Sequence, residues 1–159
     1  MYGDTEEDIP EDAPAPLGAP VVMTHYFDAN LMHDVADGKA VTGCPHLINE
    51  TPIHSHSKKQ GSAETATFGA EFSAARTCVE QTVDLRCTLR HLGVNPGDVS
   101  HAFGDNKAMM DCAKHPDARI NKRHTILSYH CVRDLAARGF LAINHVISGS
   151  NAADIVSKH

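Results

Sequence analysis

The longest regular pattern in the chain covers residues 63–92, where apolar side chains recur at steps of three and four residues. This spacing places them on one face of an α-helix. Gly93, followed by Pro96, indicates where that helix ends. The apolar stripe consists of Phe68, Phe72, Ala75, Val79, Leu85, Leu89 and Leu92.

Three β-rich segments precede this helix. They cover residues 21–28, 40–49 and 51–57, and Asn49-Glu50 between the last two is typical of a hairpin turn. Residues 29–39 are rich in Asn, Asp and Gly, which favours a loop. The first half of the chain therefore predicts three successive strands and then the long helix.

Strands and helices alternate after the long helix. The pattern predicts a strand at 99–104, helices at 106–114 and 122–138, a strand at 140–147 and a final helix from Asn151, capped by Ser150 or Asn151. Three strands in a row followed by alternating elements indicate an α/β fold, with a mixed sheet covered by helices.

The net charge belongs to the first 20 residues. Residues 1–20 hold six acids, four prolines and no Lys or Arg, whereas residues 21–159 hold 14 acids and 14 Lys and Arg. This composition predicts a disordered linker over 1–20 and one folded domain over 21–159. Because the folded part is neutral, nucleic-acid binding would require a local basic patch.

The cysteines and the hydropathy exclude several classes of protein. Five scattered Cys without a Cys-x-x-Cys pair argue against a disulfide framework and against a zinc knuckle. The acidic start is unlike a secretory signal, and no apolar run approaches the roughly 20 residues that cross a membrane. We therefore expect an intracellular protein with reduced thiols and no membrane segment.

Four carboxylates fall where an α/β sheet carries functional groups. Asp28, Asp105 and Asp154 are predicted at strand ends or helix starts, and Glu71 lies beside the apolar stripe of the long helix. Such positions meet at one edge of a sheet. Converging acids repel one another unless cations lie between them, and Mg²⁺ or Mn²⁺ suits oxygen ligands better than Zn²⁺ does. Two such ions about 4 Å apart can activate a water and stabilise the leaving oxygen of a phosphodiester.

Each acid also has an ordinary structural interpretation. Asp28 and Asp105 could cap a strand end or form a turn, and Asp154 could complement a helix dipole. Glu71 could be a solvated helix residue. Composition and periodicity alone leave both interpretations open.

Five segments occur in an order that is itself informative. They are YFDAN with DGKAVTGCPHLINETPIHSHSKKQ within 26–60, AETATFGAEFSAAR at 63–76, FGDNKAMM at 103–110, NKRHTILSYHCVRD at 121–134 and NAADIVSKH at 151–159. In this order the segments resemble the ribonuclease H domain that follows the reverse transcriptase in copia-type retrotransposon polyproteins.

The resemblance implies a ribonuclease H-like fold, a five-stranded mixed sheet with helices on both faces. It implies an enzyme that hydrolyses the RNA strand of RNA–DNA hybrids during retrotransposon reverse transcription, with two Mg²⁺ ions that Mn²⁺ can replace. Asp28, Glu71, Asp105 and Asp154 match the catalytic, metal-binding acids of the family. The implied partners are the hybrid and the upstream reverse transcriptase of the same polyprotein, and the implied location is a cytoplasmic retrotransposon particle or the nucleus.

The chain departs from the family pattern at three places. Asn30 stands where the family has a second Asp, and His56 stands where many relatives have an aromatic residue. The loop 148–151 lacks the His that assists product release in many cellular ribonucleases H. An inactive retroelement remnant that only binds nucleic acid or a partner, and a purely structural connector, therefore stay open as alternatives.

Several basic and polar residues are candidates for contact with a nucleic acid. A hybrid is recognised through its shape, phosphates and 2′-hydroxyls, so no base-reading element is required. The candidates are Lys58, Lys59, Asn106, Arg123 and His124. Each has an alternative: the lysines could serve solubility, Asn106 could cap a helix, and His124 could belong to a solvated helix start. His54-x-His56 points to adventitious Ni²⁺ or Zn²⁺ binding rather than to a dedicated site.

Overall fold

Six strands form one mixed sheet in the computed structural model, which describes residues 11–34, 38–61, 67–114 and 123–158. The strands are β1 (Met23–Tyr26), β2 (Asp28–Asp34), β3 (Lys39–Ile48), β4 (Thr51–Lys59), β5 (Ser100–Gly104) and β6 (Leu141–His145). The helices are α1 (Thr67–His91), α2 (Lys107–Lys114), α3 (Arg123–Ala137) and α4 (Asp154–Ser157), with a short 3₁₀ turn at Ser148–Ser150.

The strands β1 and β2 lie in line and together form the central strand. Both pair antiparallel with β3 in one unbroken register, from Met23 opposite Ile48 to Asn30 opposite Val41. The sheet therefore has five strand positions in the order β4, β3, β1 with β2, β5 and β6, and the last two run parallel to β1. The five-stranded mixed sheet expected from the sequence is confirmed.

The loop expected over residues 29–39 is wrong as far as Asp34, because this segment continues the central strand. Its Asn and Asp residues favour turns locally, but the ladder with β3 pairs the backbone groups of the segment. Gly38, with a φ of +62°, lies just before β3 begins. Residues 35–37 lie outside the described ranges.

Helices cover both faces of the sheet. On one face, Ala70 and Ala74 of α1 pack against Ala29 and Ala40. On the opposite face α4 lies so close to β3 that a Cβ at Gly43 would stand 2.8 Å from the Ala153 carbonyl oxygen and the Ser157 nitrogen. Helices on both faces were expected from the sequence and are confirmed.

The apolar stripe of α1 is confirmed at Phe72, Ala75 and Val79, which are buried, and it weakens towards the end of the helix. Leu85 and Leu89 are partly buried, and Leu92, 71% exposed, lies just beyond the last residue of α1. The second half also buries Arg86, whose guanidinium donates hydrogen bonds of 2.8 Å to Ser100 Oγ and to the Gly97 carbonyl. A buried arginine is stable here because these oxygens, at and before the start of β5, receive its N–H groups.

Leu17, near the end of the segment 1–20, lies against the turn that follows α1. The Leu17 N–H donates to the Gly93 carbonyl at 2.6 Å, and Leu17 forms an isolated parallel bridge with Val94. Residues 1–10 lie outside the described part, and the linker expected over 1–20 stays a prediction. Within the described ranges, no helix is long and apolar enough to cross a membrane.

Two fully buried histidines face each other across β1 and β3. The Nδ1 atoms of His25 and His46 lie 2.8 Å apart, and His46 Nε2 lies 2.9 Å from Gln81 Oε1. Since the Gln81 oxygen accepts from Nε2, a neutral His46 accepts at Nδ1, and the His25 Nδ1–H donates. Both rings are therefore neutral in the folded protein.

The surroundings of the two rings disfavour a positive charge. Burial lowers the pKa of His25 to about 3, and His46, Arg86 and His101 add to that effect. Burial also lowers the pKa of His46 to about 4, although the hydrogen bond to Gln81 opposes this change.

We expect this pair to make stability depend on pH. Below pH about 6.5, both histidines become protonated in the unfolded chain but stay neutral in the folded one. The free energy of unfolding therefore falls as pH drops towards about 4. His46→Gln should have a smaller loss of melting temperature between pH 7 and pH 5 than the wild type. His91→Gln, at an exposed histidine, is the matched control and should behave like the wild type. Equal pH dependence in all three proteins would contradict the prediction.

Candidate active site

Three carboxylates meet at the edge of the sheet where β5 ends. Asp28 begins β2, Asp105 directly follows β5, and Glu71 lies near the start of α1. One oxygen of each lies within 4.8 Å of the others. Because β1 and β5 are parallel neighbours with Tyr26 opposite Phe103, Asp28 on the central strand lies beside Asp105, each two residues beyond that pair.

Small side chains bring Glu71 to the two aspartates. Ala70 and Ala74 lie on both sides of Glu71 in sequence and are fully buried against Ala29 and Ala40. Larger residues at these positions would hold the helix farther from the sheet. The packing of alanine on alanine therefore sets the distance from Glu71 to Asp28.

The triad is buried unequally. Asp28 and Glu71 are 6% and 3% exposed, whereas Asp105 is partly exposed. Glu71 Oε2 has no hydrogen-bond partner among the described residues. A buried carboxylate oxygen without a partner is costly, and a proton or a cation can satisfy it.

Burial and neighbouring charge act together on the protonation of the triad. Burial, followed by the charges of Asp28 and Asp105, raises the pKa of Glu71 to about 9. Burial also raises the pKa of Asp28, and the Ser157 hydroxyl opposes this effect by donating a hydrogen bond. In the absence of a cation, Glu71 therefore carries a proton at neutral pH.

The sequence interpretation missed the residues that orient the aspartates. Ser148 Oγ donates to Asp105 Oδ2 at 2.6 Å, and Ser157 Oγ donates to Asp28 Oδ2. His145 Nε2 donates to the Asp105 carbonyl at 3.1 Å. The sequence held a signal only for His145, which ends a strand parallel to β5 and pairs with Gly104. Ser148 begins the short 3₁₀ turn and Ser157 ends α4, and no spacing pattern assigned either serine to the site.

The fourth predicted acid, Asp154, lines the same surface depression as the triad. It is the first residue of α4, and its Oδ2 receives a hydrogen bond of 2.5 Å from Lys158 Nζ. The Lys158 side chain is exposed and that of Asp154 is partly exposed, so this ion pair can exchange with other partners.

The remaining predicted residues fall into three groups. Asn106 lines the depression and also caps α2, accepting from the Met109 N–H at 3.0 Å. Lys58 and Lys59 lie outside the depression, in a groove between β4 and α1. The side chains of Arg123 and His124 lie outside the described part of the chain. Their contacts with a nucleic acid stay predictions.

The structure offers oxygen ligands rather than histidines for a metal ion. Among the described residues, the triad of Asp28, Glu71 and Asp105 is the one group of three or more possible ligands at such short distances. His54 instead stacks on His46, with the ring centroids 5.6 Å apart. Three converging carboxylates, one of which has an oxygen without a partner among the described residues, suit a hard divalent cation.

The topology and the acids at the end of β5 define a ribonuclease H-like domain. RNase H1 from the halophilic archaeon Halobacterium salinarum NRC-1 superposes with a TM-score of 0.64 at 17% identity, covering 87% of this chain and 95% of that one. LC11-RNase H1 in complex with an RNA/DNA hybrid superposes with a TM-score of 0.62 at 16% identity, over 84% of this chain and 92% of that one. At these identities the similarity shows the fold.

The sequence relatives are retrovirus-related Pol polyproteins of plant transposons. That of transposon TNT 1-94 from Nicotiana tabacum is 23% identical over 141 residues, which cover 89% of this chain and 10% of the relative. That of RE2 from Arabidopsis thaliana is 24% identical over 133 residues, covering 84% of this chain and 9% of the relative. The chain thus spans about a tenth of these relatives. No protein-family model matches it.

These relatives and structural neighbours fit the copia-type ribonuclease H domain that the sequence resembles, and they confirm that resemblance. The roles of the individual residues rest on the geometry described above.

We expect the affinity of the triad for a divalent cation to weaken as pH falls. The ion must displace the proton of Glu71, whose pKa is raised to about 9, so protons compete with metal over the range below that value. Titration calorimetry with Mg²⁺ at pH 9, 7.5 and 6 measures the effect. Glu80→Gln, at an exposed acid of the same helix, is the control. An affinity that is constant across this range would contradict a shared acidic site.

Proposed function

We propose that this domain is an endonuclease that hydrolyses the RNA strand of RNA–DNA hybrids, using divalent metal ions held by Asp28, Glu71 and Asp105, with Asp154 at the margin. The observation that carries the proposal is the convergence of three carboxylate oxygens within 4.8 Å. Buried acids at such distances destabilise the fold unless a positive charge joins them. A binding role alone would not require them.

The donor set fits Mg²⁺, which Mn²⁺ can replace. All candidate ligand atoms are carboxylate oxygens, and Glu71 Oε2 has an unused acceptor position. Hard cations prefer such ligands and retain several waters. Two ions bound at an acidic site supply an activated water and stabilise the leaving oxygen of a phosphodiester.

The protein's own residues prepare the site in three ways. The hydroxyls of Ser148 and Ser157 hold Asp105 and Asp28 in place. The alanine contact between α1 and the sheet excludes water beside Glu71, which is 3% exposed. Asp154 and Lys158 form an exchangeable ion pair in the lining of the depression. A phosphate of the substrate can replace the Asp154 carboxylate as the partner of the Lys158 ammonium group.

The relatives support the substrate and the setting that we propose. One structural neighbour is a ribonuclease H1 in complex with an RNA/DNA hybrid, and another is the protease-reverse transcriptase of prototype foamy virus, at a TM-score of 0.62 and 12% identity. The sequence relatives are Pol polyproteins. We therefore place the domain beside the reverse transcriptase of a retrotransposon polyprotein, inside the cell, in a cytoplasmic particle or in the nucleus.

One departure from the family pattern favours a second candidate, a remnant that binds nucleic acid without cleaving it. Asn30, which replaces an acid of the family, lines the depression itself. The triad is nevertheless intact, so we favour the active enzyme.

Substrate choice and metal dependence test the proposal directly. We expect Mg²⁺-dependent cleavage of a labelled RNA–DNA hybrid, loss of that cleavage with EDTA, and little cleavage of the same RNA paired with RNA. Binding of the hybrid without cleavage in Mg²⁺ or in Mn²⁺ would identify the inactive remnant instead.

Glu71→Gln separates catalysis from folding. The change removes a possible metal ligand at nearly constant volume, so cleavage should fall to background. It should also raise the melting temperature in EDTA at neutral pH. Folding raises the pKa of Glu71 to about 9, so at neutral pH the folded chain must take up a proton that the unfolded chain does not hold, and this costs stability that glutamine does not cost.

Glu80→Gln is the matched control for this prediction. It makes the same chemical change on the same helix, at a glutamate that pairs with Arg76 on the surface, and both cleavage and stability should stay near the wild-type values. An active Glu71→Gln variant would refute the assignment of Glu71 to the site.

A further inference from the structure

The parallel ladder between β1 and β5 ends just before the acidic site. Its last pair is Tyr26 opposite Phe103, and the Phe27 N–H still donates to the Phe103 carbonyl at 2.9 Å. In a regular parallel ladder, the next hydrogen bond would reach the Phe27 carbonyl from the N–H of Asp105. The ladder instead stops here, and β5 ends at Gly104. The sheet therefore opens between the central strand and Asp105.

The side chain of Asn151 takes the place of the missing ladder donor. Its Nδ2 donates to the Phe27 carbonyl at 3.1 Å, and the residue is only 4% exposed. A buried carbonyl that loses its donor costs free energy, so this hydrogen bond stabilises the opening of the sheet. The backbone of Asp105 is not required as the donor, and the Ser148 hydroxyl holds the Asp105 carboxylate instead.

Two different partners fix the orientation of the Asn151 amide. The Phe27 carbonyl can only accept, whereas the Ala153 N–H can only donate, and it does so to Asn151 Oδ1 at 3.1 Å. A rotated amide would lose both hydrogen bonds. Asn151 therefore joins the start of α4 to the residue that precedes Asp28.

Asn151 also lies between the two serines that orient the aspartates. Its backbone N–H donates to the Ser148 carbonyl at 3.1 Å, and its carbonyl accepts from the Asp154 N–H at 3.1 Å. Ser148 begins the 3₁₀ turn and Ser157 ends α4, so Asn151 connects the segments that carry them. A shift of Asn151 would move both serines and the backbone at Phe27 together.

We propose that Asn151 is a positioning residue of the acidic site, which holds the sheet open beyond Tyr26 and so sets the separation of Asp28 and Asp105 that a divalent cation requires. Asn151 is absent from the lining of the depression, so it acts through the backbone at Phe27 and not on the ion. The inference rests on the proposed function only in taking the triad as a cation site.

Asn151→Ser tests this role with Mn²⁺ as the probe. A serine hydroxyl can still accept from the Ala153 N–H, but its side chain is too short to replace Nδ2 as the donor to the Phe27 carbonyl. We expect the affinity for Mn²⁺, measured by titration calorimetry at a temperature where the variant is folded, to fall about ten-fold or more. An affinity equal to that of the wild type would overturn the proposal.

Asn95→Ser is the matched control for a purely structural effect. Asn95 Oδ1 accepts from the Gly97 N–H at 3.0 Å, as Asn151 Oδ1 does from the N–H two residues ahead, but Asn95 lies before the start of β5 and the site follows its end. Both variants should lower the melting temperature in EDTA, whereas only Asn151→Ser should weaken Mn²⁺ binding. An equal loss of affinity in both variants would refute the positioning role.

The wild type provides a second measurement that does not depend on the folding of a variant. Addition of Mg²⁺ should shift the NMR signals of the Asn151 side-chain amide and leave those of Asn95 in place. Asn151 signals that do not respond to Mg²⁺ would contradict the coupling of this amide to the site.

Cleavage of a hybrid separates this inference from the proposed function. If Asn151→Ser weakens Mn²⁺ binding but the wild type cleaves no hybrid in Mg²⁺ or Mn²⁺, the positioning role stands and the nuclease proposal fails. If the wild type cleaves, and the variant reaches half-maximal cleavage at the same Mg²⁺ concentration, the nuclease proposal stands and the positioning role is refuted.

Discussion

The contact between α1 and the central strands is made of alanine on alanine, and the site depends on it. Ala70 and Ala74 pack against Ala29 and Ala40, with the partly buried Leu31 beside them, so the helix approaches closely enough for Glu71 to reach Asp28 and Asp105. The same close approach excludes water and leaves one oxygen of Glu71 without a partner. The packing that stabilises the domain thereby creates the electrostatic strain that a cation would relieve.

Two buried polar systems of this fold respond differently to burial. The hydrogen bonds that join His25, His46 and Gln81 keep both rings neutral, although His25 Nε2 has no partner among the described residues. The acids of the triad receive hydrogen bonds from Ser148 and Ser157, and Glu71 Oε2 has no partner among the described residues. A neutral ring needs no counter-charge in a core, whereas three carboxylates within 4.8 Å of one another repel once they are ionised. Of the two clusters, the acidic one is therefore the one that a cation stabilises.

The sequence predicted most of the architecture because the strands and the first half of α1 follow simple periodicity. It failed where tertiary contacts outweighed local preference. Residues 29–34 look like a loop but pair with β3. The second half of α1 buries Arg86 because the Ser100 hydroxyl and the Gly97 carbonyl accept hydrogen bonds from its guanidinium. For the site, the sequence indicated the four acids through the positions of the three aspartates, the place of Glu71 beside the apolar stripe and the resemblance to the family. It did not indicate Ser148 or Ser157, because the 3₁₀ turn and α4 come next to the aspartates only in the folded chain.

The hydrogen bond between Ser157 and Asp28 joins residues that are 129 positions apart. The close contact of α4 with Gly43 belongs to the same long-range closure. Closing so long a loop costs conformational entropy, and the close packing of α4 against β3 offsets part of that cost. The carboxylate of Asp28 is thus oriented by a hydroxyl that lies far from it in sequence. A substitution that loosens the docking of α4 would therefore disturb the geometry of the triad without changing any of its acids.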